Sequence, residues 1–319
     1  MTSRFRPILI ALGVIIAAGA LRMPMEQAMT RDFRRQGLLE EELDIDVKEK
    51  IGQNSMVVAL AGVRTLVSSF TSLQMTENFT KTLWNKVEDN AETTVRLSPR
   101  TPYYWDIGGW HVGYNAASAY RSDSKLPKLR AEAEARRWVE KGRRFFERGA
   151  HNNPGSWRAW VALGNFCSNP SFFPDDRKAS EAYNKAIETG GAPPSIYRYC
   201  LLAEARAGQD PEKTLAEVRE LLKVPENRVP TLLCLNYVLE AQKSRPEDPV
   251  AAAIANFGSE TKALRNLGAY FTNVSGRLPN DGVETAIRLL EGRAGIAPDS
   301  PQSFILQREK LIEERRFTR

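Results

Sequence analysis

Three cysteines and two histidines are the side chains of this sequence with the most specific chemistry. Cys167, Cys200 and Cys234 are separated by 33 and 34 residues. A ladder of thiols could in principle bind a metal or act in redox chemistry, but the spacing of a zinc site is missing. The even interval instead favours one equivalent buried position in each of several repeated units, because a free Cys behaves as a small hydrophobe. Stacked helices about 8–10 Å apart are also too distant for disulfides, whose Cα atoms lie within about 7 Å.

Signatures of catalysis are missing from the rest of the sequence. His111 and His151 lie in no nucleophile motif, and the chain has no phosphate-binding glycine loop and no nucleophile elbow. His151 is more simply explained as a cation at a helix C-terminus, and the pair Asp175–Asp176 as a helix N-cap. We therefore expect a protein that is not an enzyme and that uses no cofactor and no metal.

A dense aromatic segment is the strongest candidate for a binding surface. It comprises Tyr103, Tyr104, Trp105, Trp110 and Tyr114. Tyrosine and tryptophan dominate the energetic centres of protein interfaces, although the same side chains could form the core between adjacent helix pairs. We expect Tyr103 and Tyr104 to be its exposed members, and we assign partner binding to Tyr103, Tyr104 and Trp110.

Composition and charge narrow the class of protein. The chain has 319 residues, of which 42% are hydrophobic and 26% charged, and a formal net charge of +6. These values are typical of a globular protein with a proper core. The basic excess is spread along the chain rather than gathered in a stripe, so nucleic-acid binding is not expected.

The N-terminus carries an uncharged apolar run from Pro7 to Leu21 that follows Arg4 and Arg6. We interpret residues 1–25 as a membrane anchor in which residues 7–25 contact the bilayer, and residues 26–53 as a charged linker. The alternatives are a cleaved signal peptide, for which Ala18-Gly19-Ala20 would be the cleavage site, and a buried soluble helix.

The expected location is a single-pass position in a bacterial inner membrane, with the soluble body in the periplasm. The likeness of the segment to a signal sequence supports this orientation. Arginines on both sides of the run leave the orientation open. Three unpaired thiols fit a reducing compartment better than the periplasm, which counts against this orientation.

Helical periodicity dominates the chain after Asn54. Apolar residues recur at helical spacing, and turn residues divide residues 54–245 into pairs of helices, including one long helix predicted from Glu77 to Leu97. Residues 246–319 form a C-terminal segment with turn-rich loops and a charged tail. There we predict further helices and one short strand, Ser303–Leu306.

One helix pair carries a recognisable repeat pattern. Trp160, Leu163 and Gly164 open the first helix, and Ala179, Tyr183 and Ala186 place small and aromatic residues along the second. This pattern resembles the tetratricopeptide repeat (TPR), and residues 55–225 together resemble divergent, membrane-anchored bacterial TPR-like proteins. Further segments carry the likeness: Ala59–Arg64, Leu97–Pro99, Trp105, Gly109–Trp110, Tyr114–Asn115, Gly142–Gly149 and Asn153–Pro154.

The resemblance implies an all-α, TPR-like helical-hairpin solenoid with an N-terminal transmembrane helix or signal segment. It also implies a membrane scaffold or accessory protein that binds protein partners or assists complex assembly. Asn115 and Asn165 lie where some TPR domains hold a peptide carboxylate, and we include both among the partner-binding candidates. The alternative function is a structural subunit of a larger membrane complex that packs through its N-terminal helix, for which Gly13, Ala17 and Ala20 offer a small-residue face.

Overall fold

The computed structural model describes residues 54–273 and 276–317, together with the isolated residues 22, 24, 28 and 31. The anchor expected within residues 1–25 and the linker expected within residues 26–53 therefore lie, apart from those four residues, outside the described part of the chain. No helix within the described ranges is long and apolar enough to cross a bilayer.

The described residues form an all-α structure in which consecutive helices pair as hairpins. The helices are α1 (Asn54–Thr80), α2 (Trp84–Leu97), α3 (Pro102–Gly109), α4 (Ala116–Arg121), α5 (Lys128–Asn152), α6 (Trp157–Ser168), α7 (Asp176–Glu188), α8 (Ser195–Ala207), α9 (Pro211–Leu222), α10 (Pro230–Lys243), α11 (Pro249–Phe257), α12 (Glu260–Asn273), α13 (Val283–Arg293) and α14 (Phe304–Phe317). A π-helical turn, Trp110–Asn115, joins α3 to α4, and a 3-10 turn, Pro225–Asn227, precedes α10.

The helix predicted from Glu77 to Leu97 is in fact two elements. Helix α1 runs through Thr80, and α2 begins only at Trp84. Thr82 between them has a left-handed φ of 54°, which reverses the chain and which helical periodicity does not reveal. The reversal brings the rings of Phe79 and Trp84 to 5.9 Å, so the corner is closed by an aromatic contact.

The strand predicted at Ser303–Leu306 is also wrong, because Phe304 begins helix α14. The buried carboxylate of Glu291 accepts hydrogen bonds from Phe304 N at 2.7 Å and from Ser303 Oγ at 3.0 Å. An acceptor brought from another helix thus satisfies a donor at the N-terminus of α14. The ring of Phe304 packs against Gly268, where an added Cβ would lie 2.3 Å from it.

Two neighbouring hairpins begin with the same hydrogen bond. Trp105 Nε1 donates to the carbonyl of Pro99 at 2.7 Å, and Trp160 Nε1 donates to the carbonyl of Pro154 at 2.9 Å. The separation is six residues in both cases, so each indole fastens the first helix of a hairpin to the loop before it. Hairpins α3–α5 and α6–α7 are therefore structural equivalents.

The same two hairpins close through a glycine and an aromatic ring. A Cβ on Gly109 would lie 2.6 Å from the ring of Phe146, and a Cβ on Gly164 would lie 2.6 Å from the ring of Tyr183. In each hairpin the glycine lies on the first helix, four residues after the tryptophan, and the aromatic ring lies on the second helix. The contact that repeats is thus an aromatic ring of the second helix packed directly on a glycine of the first.

The π-helical turn lies at the closest approach of two helices. A Cβ on Gly142 of α5 would lie only 2.3 Å from the Cα of Gly113 in this turn. Both residues are buried, and the ring of Phe166 lies against them. Backbone therefore packs directly on backbone here, which fixes the position of the α3–α4 segment against α5.

All three cysteines are buried and free, as their spacing predicts. Burial raises the pKa of Cys167 and of Cys234 to about 12, and it also raises the pKa of Cys200. The thiols are therefore protonated at neutral pH and fill small apolar positions of the core.

Candidate functional site

A cleft of about 220 Å³ is lined by α3 and α6, the first helices of the two equivalent hairpins, and by the C-terminal part of α5. Small residues make its floor, namely Gly149, Ala150, Ala159 and Ala162, with the rings of Trp105 and Phe146 beside them. The side chain of Trp105 packs here against the backbone of Gly149, where an added Cβ would lie 2.8 Å from the Trp105 Cβ. The packing unit of the hairpins thus leaves a shallow apolar depression, which we call the α3–α6 cleft.

Three exposed side chains follow one stripe of α3 and the π-helical turn, with Tyr103 and Asp106 at the wall of the cleft and Trp110 beyond it. They are spaced by three and four residues, which places them on one helical face. Tyr103 is 64% exposed and Trp110 50% exposed. The indole of Trp110 stacks on Tyr114 at 4.6 Å, so its orientation is held while half of its surface faces solvent.

The cleft has one charged group of each sign on its walls, Asp106 from α3 and Arg158 from α6. Desolvation raises the pKa of the Asp106 carboxyl. The guanidinium of Arg158 lies over the indole of Trp157, 4.5 Å from the ring centroid. Within the described part of the chain, neither charge forms a salt bridge or a side-chain hydrogen bond.

Tyr104 and Asn115, two of the other predicted partner-binding residues, are engaged within the chain. The hydroxyl of Tyr104 lies 3.2 Å from Ser69 Oγ of α1, and the side chain is half-buried. Asn115 is also half-buried, and its Nδ2 lies 3.0 Å from His111 Nδ1. Tyr104 thus joins α3 to α1, whereas Asn115 bonds within the π-helical turn, and neither residue lines the cleft.

Asn165 is exposed on α6, but its amide already has a partner. Its Oδ1 accepts a hydrogen bond from Tyr183 Oη at 2.8 Å, and Ser168 Oγ lies 3.2 Å from the same hydroxyl. This network joins α6 to α7. The structure does not bring Asn115 and Asn165 together with Tyr103 at the wall of the cleft.

The sequence contains a signal for Arg158 that the aromatic segment alone does not reveal. Tyr103 stands two residues before Trp105, and Arg158 stands two residues before Trp160. Because the two tryptophans are equivalent, Tyr103 and Arg158 occupy the same position of consecutive hairpins. Aligning the hairpins on their indoles would have placed both at one surface.

His111 lies in the π-helical turn with its ring 4.4 Å from that of Phe79. Burial lowers its pKa, so the folded state binds a proton less readily than the unfolded state. Folding stability is therefore expected to be fully present above the unfolded pKa of about 6.5 and to fall as the pH drops below it. Urea unfolding at pH 7.5 and pH 5.5 measures this difference.

The control is the His111→Gln variant, which keeps a polar side chain without a titrating ring. Its free energy of unfolding should change less between the two pH values than that of the wild type. An equal change in both proteins would show that other groups cause the acid sensitivity.

No protein-family model matches this chain, and no curated protein sequence is similar to it. Among the residues that the structure describes, no three His, Cys, Asp or Glu side chains lie together as a metal site would require.

Proposed function

We propose that this protein is a TPR-like helical-hairpin scaffold that binds a protein partner at the α3–α6 cleft and the stripe beside it. In this proposal residues 7–25 hold the chain at a membrane, and the helical body assists the assembly of a complex. The observation that carries the proposal is the exposed stripe of Tyr103, Asp106 and Trp110 beside a cleft whose two charged side chains, Asp106 and Arg158, form no salt bridge within the described part of the chain.

Two features of the fold support a TPR-like scaffold. The Trp–Pro hydrogen bond and the Gly–aromatic contact recur in consecutive hairpins, which is how stacked repeats bury a continuous core. Stacking also places the first helices side by side, so their exposed residues form one surface. Exposed Tyr and Trp held by neighbouring rings bind partners with little loss of side-chain entropy.

An outward apolar face on α1 favours the second candidate, a subunit of a larger membrane complex. Val63, Leu66, Val67, Phe70 and Leu73 are all exposed, and Leu66 is 72% exposed. They recur at helical spacing opposite the buried side of α1, and contiguous apolar patches of this kind mark contact sites. Here assembly would depend on α1 and the N-terminal segment rather than on the cleft.

The test is crosslinking and affinity capture of the tagged full chain from native membranes. We expect a discrete set of partners at fixed stoichiometry that is lost with Trp110→Ala. It should be retained with Tyr197→Ala, which removes an aromatic side chain that is 43% exposed on α8.

Partners lost only when residues 1–25 are replaced by an unrelated anchor, or with Leu66→Ser, would favour the complex-subunit function. A lone chain under every crosslinking condition would contradict both functions.

A further inference from the structure

A cavity of about 420 Å³ lies apart from the α3–α6 cleft, where the loop before α13 returns to the hairpins. Its walls come from the end of α8, the start of α9, the end of α10, the loop before α13 and Arg308 of α14. Gly208, Gly276 and Asn280 among its lining residues are exposed, so the cavity is open to solvent. It shares no lining residue with the α3–α6 cleft, and we call it the C-terminal cavity.

The C-terminal cavity carries more positive charge than its acidic partners offset. Arg206, Arg277 and Arg308 all line it. Arg206 Nε and Arg277 Nη2 each donate to the same oxygen, Asp176 Oδ1, at 2.7 Å. Within the described part of the chain, the guanidinium of Arg308 forms no salt bridge and no hydrogen bond. One carboxylate thus serves two cations, and a third cation has no acidic partner.

Glu204 is the acidic residue in the wall of the cavity, and its charge is already compensated. Its side chain is buried, and its Oε1 lies 3.7 Å from Lys213 Nζ. The same oxygen accepts a hydrogen bond from Asn184 Nδ2 at 3.2 Å. Lys213 therefore offsets Glu204, and the excess of guanidinium groups remains.

Arg308 is held by an aromatic ring rather than by an acid. Its guanidinium carbon lies 3.8 Å from the centroid of the Phe271 ring. Burial desolvates the guanidinium and lowers its pKa, while the charge of Glu284 acts in the opposite direction. The Glu284 carboxylate is itself bonded by Arg288 at 2.7 Å. Arg308 is therefore a partly desolvated cation, which attracts an anion more strongly than a cation in water does.

Three polar atoms of these side chains are shielded from solvent and lack a partner within the described residues. Arg277 Nε and Arg308 Nη1 are donors without an acceptor, and Glu204 Oε2 is an acceptor without a donor. Buried polar groups are paired in nearly all cases, and an exception calls for an explanation such as a bound ion. The walls of the cavity thus need an acceptor for two guanidinium groups and a donor for one carboxylate.

We propose that the C-terminal cavity binds a small organic anion that carries a hydroxyl or amino group. Its carboxylate or phosphate group accepts hydrogen bonds from Arg277 and Arg308, and its hydroxyl or amino group donates to Glu204. Charge-assisted bonds from arginine to such anions are among the strongest hydrogen bonds in proteins. The volume of the cavity lies within the roughly 300–1,000 Å³ of small-molecule sites.

The ligand would add a small-molecule site to a protein whose proposed function is to bind a protein partner. It would also fasten α14 to the loop before α13, because Arg308 belongs to the first and Arg277 to the second. A ligand that binds only the folded state raises the apparent stability of that state. Occupancy of the cavity would therefore stabilise the C-terminal part of the fold.

The test is isothermal titration calorimetry of the full-length protein in detergent at constant ionic strength. The probes are malate, succinate, inorganic phosphate and the uncharged succinamide. Malate should bind about tenfold more tightly than succinamide, because only malate carries carboxylates for the arginines. Malate should also bind about threefold more tightly than succinate, from which it differs by one hydroxyl group. Comparison of phosphate with succinate distinguishes a phosphate ligand from a carboxylate ligand.

Two variants connect binding to the cavity. Arg308→Met should weaken malate binding about tenfold, because it removes an unpaired cation while a flexible side chain still packs on Phe271. The matched control is Arg265→Met, which removes the same charge from an exposed position of α12 outside the cavity. It should leave malate binding unchanged. Circular dichroism of each variant establishes that the helices are retained.

Two results would overturn the proposal: none of the three anions binds more tightly than succinamide, or the two variants weaken malate binding equally. Malate that binds no better than succinate would contradict the contact with Glu204. Partner capture from membranes is a separate measurement, so the proposed function stands or falls independently of these results.

Discussion

Replacing Gly142 by alanine is expected to lower the free energy of unfolding by about 2 kcal/mol. The added Cβ would lie 2.3 Å from the Cα of Gly113, closer than any non-bonded contact allows. The obstacle is backbone in a neighbouring helical segment, which cannot rotate away as a side chain can. Overpacking of this kind costs about 3 kcal/mol, and the better helix propensity of Ala offsets about 1 kcal/mol of it. Urea denaturation followed by circular dichroism measures the loss.

Gly292→Ala is the matched control for this substitution. Gly292 also lies within a helix, α13, but a Cβ there would meet nothing within 4 Å. The change should raise the free energy of unfolding by about 0.5–1 kcal/mol, because only helix propensity is altered. Equal effects at the two positions would contradict the close approach of Gly113 and Gly142.

The parts of the fold that the sequence predicted are those governed by local patterns. The helices around Trp160 and Tyr183 follow from apolar periodicity and from turn residues, both of which act over a few positions. The break between the helices at Thr82 was not predicted, because a left-handed backbone at a threonine has no reliable sequence signal. Only the start of helix α14 was predicted wrongly, as the strand Ser303–Leu306, because Glu291, which accepts a hydrogen bond from Phe304 N, belongs to another helix.

The candidate site was predictable to a similar degree. Tyr103 is exposed as predicted, whereas Tyr104, also predicted to be exposed, is half-buried with its hydroxyl 3.2 Å from Ser69 Oγ, and Trp110 is exposed instead. That Asp106 and Arg158 line the same cleft could not be predicted from spacing within one helix. It depends on how two hairpins stack, which is a tertiary property that local periodicity does not encode.

Hydrogen bonds from two residues far along the chain meet at Asp176. Its carboxylate accepts hydrogen bonds from Arg206 Nε at 2.7 Å and from Arg277 Nη2 at 2.7 and 2.8 Å. Arg277 also donates to the carbonyl of Ser168 at 3.0 Å. The sequence suggested only a helix cap for the Asp175–Asp176 pair. Asp175 does cap α7 through Lys178 N, whereas Asp176 joins α8 and the loop before α13.

Asp176→Ala is therefore expected to destabilise the protein by about 3 kcal/mol. The side chain of Asp176 is 13% exposed, and those of Arg206 and Arg277 are 15% and 28% exposed. Removing the carboxylate leaves two poorly solvated guanidinium groups facing each other, and breaking a buried ion pair costs about 3–5 kcal/mol. Because the side chains retain some solvent contact, the lower end of that range applies. Denaturant unfolding of the full chain measures the change.

Two further variants separate charge from packing at this position. Asp176→Asn keeps the shape of the side chain and one acceptor oxygen. The part of its loss in free energy of unfolding that exceeds the contribution of a neutral hydrogen bond therefore measures the effect of the missing charge. Arg277→Met removes only the connection from the loop, and it should cost less than Asp176→Ala because the Arg206 pair remains. Combined with Asp176→Ala, Arg277→Met should restore part of the lost stability, since one uncompensated cation has gone. A double variant that is less stable than Asp176→Ala would show that Arg277 stabilises the fold through its contact with Ser168 rather than through the shared carboxylate.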